Sequence, residues 1–252
     1  MQLTYLDSNS WLIEMAGQHI LLDPWLVGSL VFGDAPWLFK GDRPKDRTVP
    51  ENVDLILLSQ GLEDHAHTET LKFLDKQLPV VGSPSAAEAA KKFDYQTVHC
   101  LNHGEVLTLE NLEIRAVKGS LVGATTVENG YILKDLSTGE TLYYEPHGNH
   151  SSELKQYAPI DVVVTPLINL TLPLIGAVIK GQKTALKVCD WLQPQVILPT
   201  AAGGDVHFEG ILMNFLKPQG TVKDFAAMLQ AKQSQTRVLE PTPGERIDVV
   251  LN

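Results

Sequence analysis

The chain has 252 residues, 44% of them hydrophobic and 20% charged, an ordinary composition for a globular protein with a sizeable core. Lys and Arg total 20 against 30 Asp and Glu, a formal charge of −10 with no basic patch, which argues against a general nucleic-acid partner. Cys100 and Cys189 are the only cysteines, so a disulfide framework and a Cys-based zinc ribbon are excluded, and both are expected to be buried small apolar side chains in a reducing compartment.

The N-terminal segment MQLTYLDSNSWLIEM has neither a basic start nor a continuous apolar stretch, so it does not read as a signal peptide. Segments 2–6, 10–15 and 19–26 are short, rich in β-branched and aromatic residues, and separated by Ser8-Asn9 and Gly17-Gln18, the pattern of an antiparallel meander. Residues 27–52 carry Gly28, Gly33, Pro36, Gly41, Pro44 and Pro50 and are expected to form a long irregular loop, of the functional or mobile kind. A buried strand over 53–59 follows, then a helix over 68–78 with Thr68 as its cap. Strand 79–83, a helix over 84–93 with Pro84 near its first position, and strand 97–101 continue an alternating βα pattern.

Hairpin strands are expected again over 105–110, 112–119, 130–135 and 140–146. Beyond them come a buried strand at 160–166, a helix over 180–193, and strand 194–200. A helix over 221–233 opens on a capping-box arrangement of Thr221 and Asp224, and strands 236–241 and 246–251 close the chain. The most apolar window, 162–179, is interrupted by Pro166, Asn169 and Pro173 and is not a membrane span. Both halves run hairpins first and alternating elements after. Residues 1–252 are read as one cytoplasmic domain, with no nucleic-acid and no membrane partner.

Two polar clusters carry the chemistry. In 57-LLSQGLEDHAHTETL-71, Asp64, His65 and His67 crowd a loop at the carboxyl end of a buried strand, where α/β sheets place their ligands. In 145-EPHGNH-150, Glu145, His147 and His150 follow another strand. Carboxylate and imidazole together suit zinc, iron or manganese. The structural alternatives are a helix-capping Asp64 with solvated histidines, and a polar turn built on Pro146 and Gly148. Two such loops at strand ends favour one shared cleft.

On these residues the sequence resembles the metallo-β-lactamase superfamily, and in particular its ascorbate-6-phosphate-lactonase-like hydrolases. The resemblance covers nearly the whole chain, through 20-ILLDPWL-26, 79-PVVGSPSAAE-88, 103-HGEVLTLENLEIRAV-117, 128-ENGYILKD-135, 140-ETLYYEP-146 and 196-VILPT-200. It implies an α/β fold (α+β) in four αββα layers, with two mixed β-sheets and internal pseudo-symmetry. The family's metal loop, His-x-His-x-Asp-His, places Gln60 and Leu62 at its first two histidines and Asp64 and His65 at its Asp and second-site His. The central third His falls near 117-VKGSLVG-123, the bridging Asp near His147, and the late His near Ala201. The first metal site therefore cannot be built. The resemblance implies at most one ion, zinc or another divalent metal, on Asp64, His65 and His147, with Asp64 also in the catalytic set and Glu145 or His67 as proton shuttle.

Asp23 corresponds to a family residue that supports the metal loop, His207 lies just past the missing late His, and His99 and His103 read as non-ligands. Leu62 is expected to turn inward and pack near Gly119, and Leu167, Leu170, Leu172, Leu174 and Ile175 to serve core or cleft mouth. Two functions stand from the sequence. One is a divergent metal-dependent hydrolase of an ester, lactone or phosphoester small molecule. The other is a metal-free, non-catalytic member of the fold that binds a small molecule or a protein. The substrate and oligomeric state are not encoded in any motif.

Overall fold

The computed structural model describes residues 1–122, 125–173, 176–201 and 204–251. Two seven-stranded mixed sheets carry the fold. In the first, Arg246–Asp248, Gln2–Asp7, Ser10–Met15 and Gln18–Leu22 are antiparallel neighbours, and parallel pairing then adds Leu55–Leu58, Val80–Gly82 and Val98–Cys100. In the second, Val106–Leu109, Leu112–Val122, Thr126–Asp135 and Thr141–Tyr144 are antiparallel, and parallel pairing adds Val162–Val164, Val196–Leu198 and Arg237–Val238. The repeated plan is the pseudo-symmetry expected from the order of elements.

Burial shows the layers. Leu3, Trp11, Leu22 and Leu57 from one sheet meet Ile114, Tyr131, Leu142 and Val164 from the other in a single apolar cluster. Each such fully buried aliphatic side chain contributes roughly 1.5–3 kcal/mol. The outer face of the first sheet packs Ile56, Leu58 and Val80 against Leu71 of the Thr68–Phe73 helix and Ala86 and Ala90 of the Pro84–Lys91 helix. The outer face of the second packs Tyr143, Val163 and Ile197 against Val188 of Lys183–Leu192 and Phe225 of Val222–Ala231. Strands covered on both faces account for the unbroken apolar runs at 55–58 and 162–164. This is the four-layer αββα arrangement. Among the described residues no helix is long and apolar enough to cross a membrane.

Local chemistry sets the element ends. The capping box of Thr221 and Asp224 is present. The helix expected over 68–78 stops at Phe73, because Lys76 turns back and its ammonium donates to the carbonyls of Leu71, Lys72 and Leu74. Its N-cap is His67, not Thr68. The loop at 27–52 is not irregular throughout: Leu30–Val31 and Lys40–Asp42 pair with each other, and His207–Glu209 completes a small sheet. A second small sheet joins Asn169–Leu172, Gly176–Ile179 and Lys217–Gln219 inside stretches for which no strand was expected. Cys189 is buried as expected, but Cys100 is exposed on an edge strand.

Candidate metal centre

The site lies where the carboxyl ends of Leu55–Leu58 and Thr141–Tyr144 open into loops. Its anchor is Asp23, fully buried and held at a positive φ of 42° just after the Gln18–Leu22 strand. Asp23 Oδ1 accepts from the Ser59 backbone N–H at 2.7 Å. Asp23 Oδ2 accepts from Ser59 Oγ at 2.5 Å, from Tyr144 O–H at 2.7 Å and from His65 Nδ1 at 2.7 Å. One carboxylate thus ties the first sheet, the second sheet and the polar loop together, the supporting role weighed for it from sequence.

With Nδ1 on Asp23, His65 turns Nε2 to Asp64, 3.1 Å from Oδ2. Burial opposes charge on this ring, but Asp64 and Asp23 outweigh burial and hold the imidazolium up to about 10. Burial likewise opposes the Asp64 charge, yet His65 keeps its carboxyl below the usual range. Asp64 Oδ1 is buried and has no hydrogen-bond partner.

His147 comes from the other loop, its ring edge-on to His65 with centroids 5.1 Å apart. Its Nδ1 lies 2.9 Å from Ser120 Oγ and 3.2 Å from Gln60 Nε2. Ser120 in turn donates to Glu145 Oε1, and Glu145 Oε2 accepts from the backbone N–H groups of His147 and Asn149. Burial pushes Glu145 up to about 7 despite those donors, and pushes His147 down to about 4, with the nearby His65 charge adding to the effect. Nδ1 being engaged, Nε2 is the nitrogen His147 has left for a ligand.

Candidate ligand atoms of Asp64, His65 and His147 all lie within 4.8 Å of one another. Two metal–ligand bonds of ~2 Å span at most ~4 Å, so the cluster is close to what one ion requires. The other features of a fit are also present: an orphaned Asp64 oxygen, and imidazoles whose second nitrogens are fixed by a carboxylate and by a hydroxyl. Three protein donors with a cavity beside them fit one divalent ion with an open position. The cavity, about 470 Å³, is bounded at its polar end by Ser8, Asn9, Asp64 and His147.

Several expected residues lie elsewhere. His67 is fully buried, but its Nδ1 accepts from Thr70 N–H and its Nε2 meets the Ser29 carbonyl at 3.1 Å, so both nitrogens are spent on packing the loop. It is brought next to Trp25 and not to the cluster, which corrects its assignment as a shuttle. Leu62 is 40% exposed rather than packed near Gly119, because residues 62–66 wind into a turn through the Leu62 carbonyl. His207 is exposed on the small sheet opposite Asp42, and His103 meets the Glu128 carbonyl. His150 is half-buried against Tyr143, whose O–H lies 3.0 Å from its Nδ1. Leu167 is core, Leu170 and Leu172 line the cavity, and Leu174 and Ile175 lie outside the described residues, as does Gly123 of the central segment. Ser120, Asn9 and Tyr144 were missed as site residues. For Ser120 a signal existed, since it lies in the segment matched to the family's third His.

Comparison with known proteins agrees with this fold. The family model described as beta-lactamase superfamily domain matches residues 2–201, and the chain belongs to that family. A UPF0173 metal-dependent hydrolase of Methanopyrus kandleri is 26% identical over 218 residues, covering 81% of this chain and 84% of that protein. The fold is shared with isothiocyanate hydrolase from Delia radicum gut bacteria, at a TM-score of 0.70 and 17% identity over 99% of both chains. It is shared equally with Igni18, a metallo hydrolase of the archaeon Ignicoccus hospitalis, at a TM-score of 0.70 and 16% identity over 100% of this chain and 99% of that one.

Proposed function

We propose that this superfamily member is a hydrolase that uses one divalent metal, held by Asp64, His65 and His147, against an ester, lactone or phosphoester. The observation that carries the reading is the convergence of those three donors within 4.8 Å at the polar end of a cavity. The donor set suits zinc, iron or manganese. One bound ion would polarise a carbonyl or phosphoryl oxygen and make water more acidic. The chain's own residues supply orientation and proton movement. Asp23 fixes the His65 ring, and Ser120 with Gln60 fixes that of His147. Ser120 Oγ gives its proton to the hydrogen bond with Glu145 and is left to accept from His147 Nδ1–H, which fixes the neutral tautomer with Nε2 free. Glu145, its carboxyl raised to about 7, is the group here that can take up or give back a proton near neutral pH.

Elemental analysis of protein purified without a His-tag tests the metal, alongside hydrolysis of p-nitrophenyl esters before and after chelation. The expectation is close to one ion per chain, loss of that ion in Asp64→Ala and His147→Ala, and activity that chelation removes and metal restores. Unchanged hydrolysis by metal-stripped protein would overturn the reading.

One observation favours the alternative of a metal-free binding protein: a His65 imidazolium pairs with both Asp23 and Asp64 and offsets one of their two charges without any ion. Protein that takes up no divalent metal, yet keeps its stability and a ligand-binding cavity, would establish that alternative.

A further inference from the structure

The cavity beside the cluster has walls of one chemical kind. Leu30 and Phe39 come from the 27–52 segment, Leu170 from the Asn169–Leu172 strand, and Phe208, Leu212 and Leu216 from the 207–216 segment. Polar groups gather only where Asp64, His147, Asn9 and Ser8 close it. Among the described residues no lysine or arginine lines it. Of the cations in the neighbouring segments, Lys40 pairs with Asp42 and Glu209, Arg47 with Asp7 and Asp205, and Lys180 donates to Asn149. Arg43 stacks on Trp25 and donates to its carbonyl, while its Nε and Nη2 have no hydrogen-bond partner among the described residues. None of these four lines the cavity. The apolar character continues outside, where Ile211 and Phe215, chain neighbours of Leu212 and Leu216, are 52% and 50% exposed. Trp37, whose carbonyl accepts from Ile211 N–H, is 65% exposed.

We infer that the cavity takes a ligand with an apolar chain or ring as its body and a single uncharged carbonyl group as its head, a carboxylic ester or lactone and not a phosphoester. The inference rests on the hydrolase reading for its chemistry and narrows that reading's substrate class. Two physical arguments carry it. An apolar body displaces water from walls that offer it no hydrogen bonds, so affinity grows with buried chain length. The two charges of one divalent ion are already offset by Asp64 and Asp23, so a phosphate head would add one or two negative charges with no guanidinium or ammonium among the described lining residues to meet them, and buried charge without a partner is costly. A neutral carbonyl adds no charge to the site and needs only one acceptor contact at the polar end.

Isothermal titration of the metal-replete protein with butanamide, hexanamide, octanamide and octyl phosphate reads both arguments. Each added methylene should strengthen amide binding about fourfold, which is ~0.8 kcal/mol per buried CH₂ converted to an equilibrium ratio. Octyl phosphate, with the same tail, should bind at least about tenfold more weakly than octanamide. Leu212→Glu and Leu170→Glu, on opposite segments and each checked for folding by circular dichroism, should both lose octanamide binding. Affinity independent of chain length, octyl phosphate binding as tightly as the amide, or octanamide binding retained by both variants would overturn the inference. Hydrolysis of p-nitrophenyl acetate and octanoate separates this result from the hydrolase reading. The expected binding pattern without hydrolysis leaves the cavity assignment standing and removes the hydrolase. Metal-dependent hydrolysis with no preference for octanoate over acetate removes the cavity assignment alone.

Discussion

Asp23 carries more of the site than any candidate ligand does, because one buried carboxylate accepts from Ser59, Tyr144 and His65 at once. Replacing it by alanine leaves a buried imidazole and two hydroxyls without their acceptor, and breaking a buried charge pair from one side costs about 3–5 kcal/mol. Asp23→Ala should lower the urea midpoint accordingly, and should weaken metal binding about 10–100-fold through loss of the His65 orientation. His150 gives a separate prediction. Burial, with Lys187 nearby, depresses its pKa from 6.5 to about 3, so the folded chain keeps this ring neutral while the unfolded chain protonates it below pH ~6.5. Its contribution is therefore constant above that pH and falls as pH drops toward about 3, by up to about 1.4 kcal/mol per pH unit. The fall in stability between neutral pH and pH ~5 should be shallower in His150→Gln, which keeps an acceptor for Tyr143 O–H; equal slopes for the two proteins would refute the assignment. At this scale the sequence was partly legible. Asp64, His65 and His147 could be found because carboxylates and imidazoles are rare enough to be noticed at strand ends. Ser120 was overlooked although it lies in the segment matched to the family's third His, since a serine in a strand is ordinary and only Glu145 and His147 packed beside it give it a role.

The elements that hold the loops were read more reliably than those that wall the cavity. Long apolar strands and a capping box leave local signatures, so both large sheets and the helix after Thr221 could be expected from sequence. The two small sheets are made of strands of two to four residues, too short for an alternation to show, and the third strand of each, His207–Glu209 and Lys217–Gln219, comes from far along the chain. His67 misled for a related reason: its side chain replaces the usual Ser, Thr, Asp or Asn at a helix start, so a structural cap looked like a proton shuttle. The 145–150 loop is positioned by a close approach at Gly148, which adopts φ 75°. A Cβ there would sit 1.5 Å from the Lys180 carbonyl oxygen, which is backbone and cannot swing away. Gly148→Ala should therefore cost at least about 2 kcal/mol, the range for a positive φ combined with a steric clash. Because the strain falls one residue from His147, metal affinity should fall with it; thermal melting and metal titration on one preparation check both. A variant as stable as the parent would show that the loop is not held at this point.

Across the whole molecule, the repeated half-sheets explain why two loops distant in sequence share a site: each follows a strand near the centre of its own sheet, at the same edge of the sandwich. The same geometry limits the metal content. A second ion would need donors where Gln60, Leu62, the central segment and Ala201 now stand. Gln60 is buried and braces His147, Ser120 is bonded to Glu145, and Leu62 points outward at 40% exposure. Restoring histidine at both loop positions, Gln60→His with Leu62→His, supplies two imidazoles but neither the central nor the late donor. The double variant should still hold at most one zinc ion per chain after dialysis. Its stability should be set by Gln60, because exchanging a half-exposed leucine on a turn alters stability by about 0.5 kcal/mol or less, whereas removing the buried amide leaves His147 Nδ1 with Ser120 alone. The single variants separate these effects: Leu62→His should melt with the parent and Gln60→His below it. Two zinc ions in the double variant, or a greater loss from Leu62→His than from Gln60→His, would mean that the loop turns Leu62 inward toward the metal centre after all.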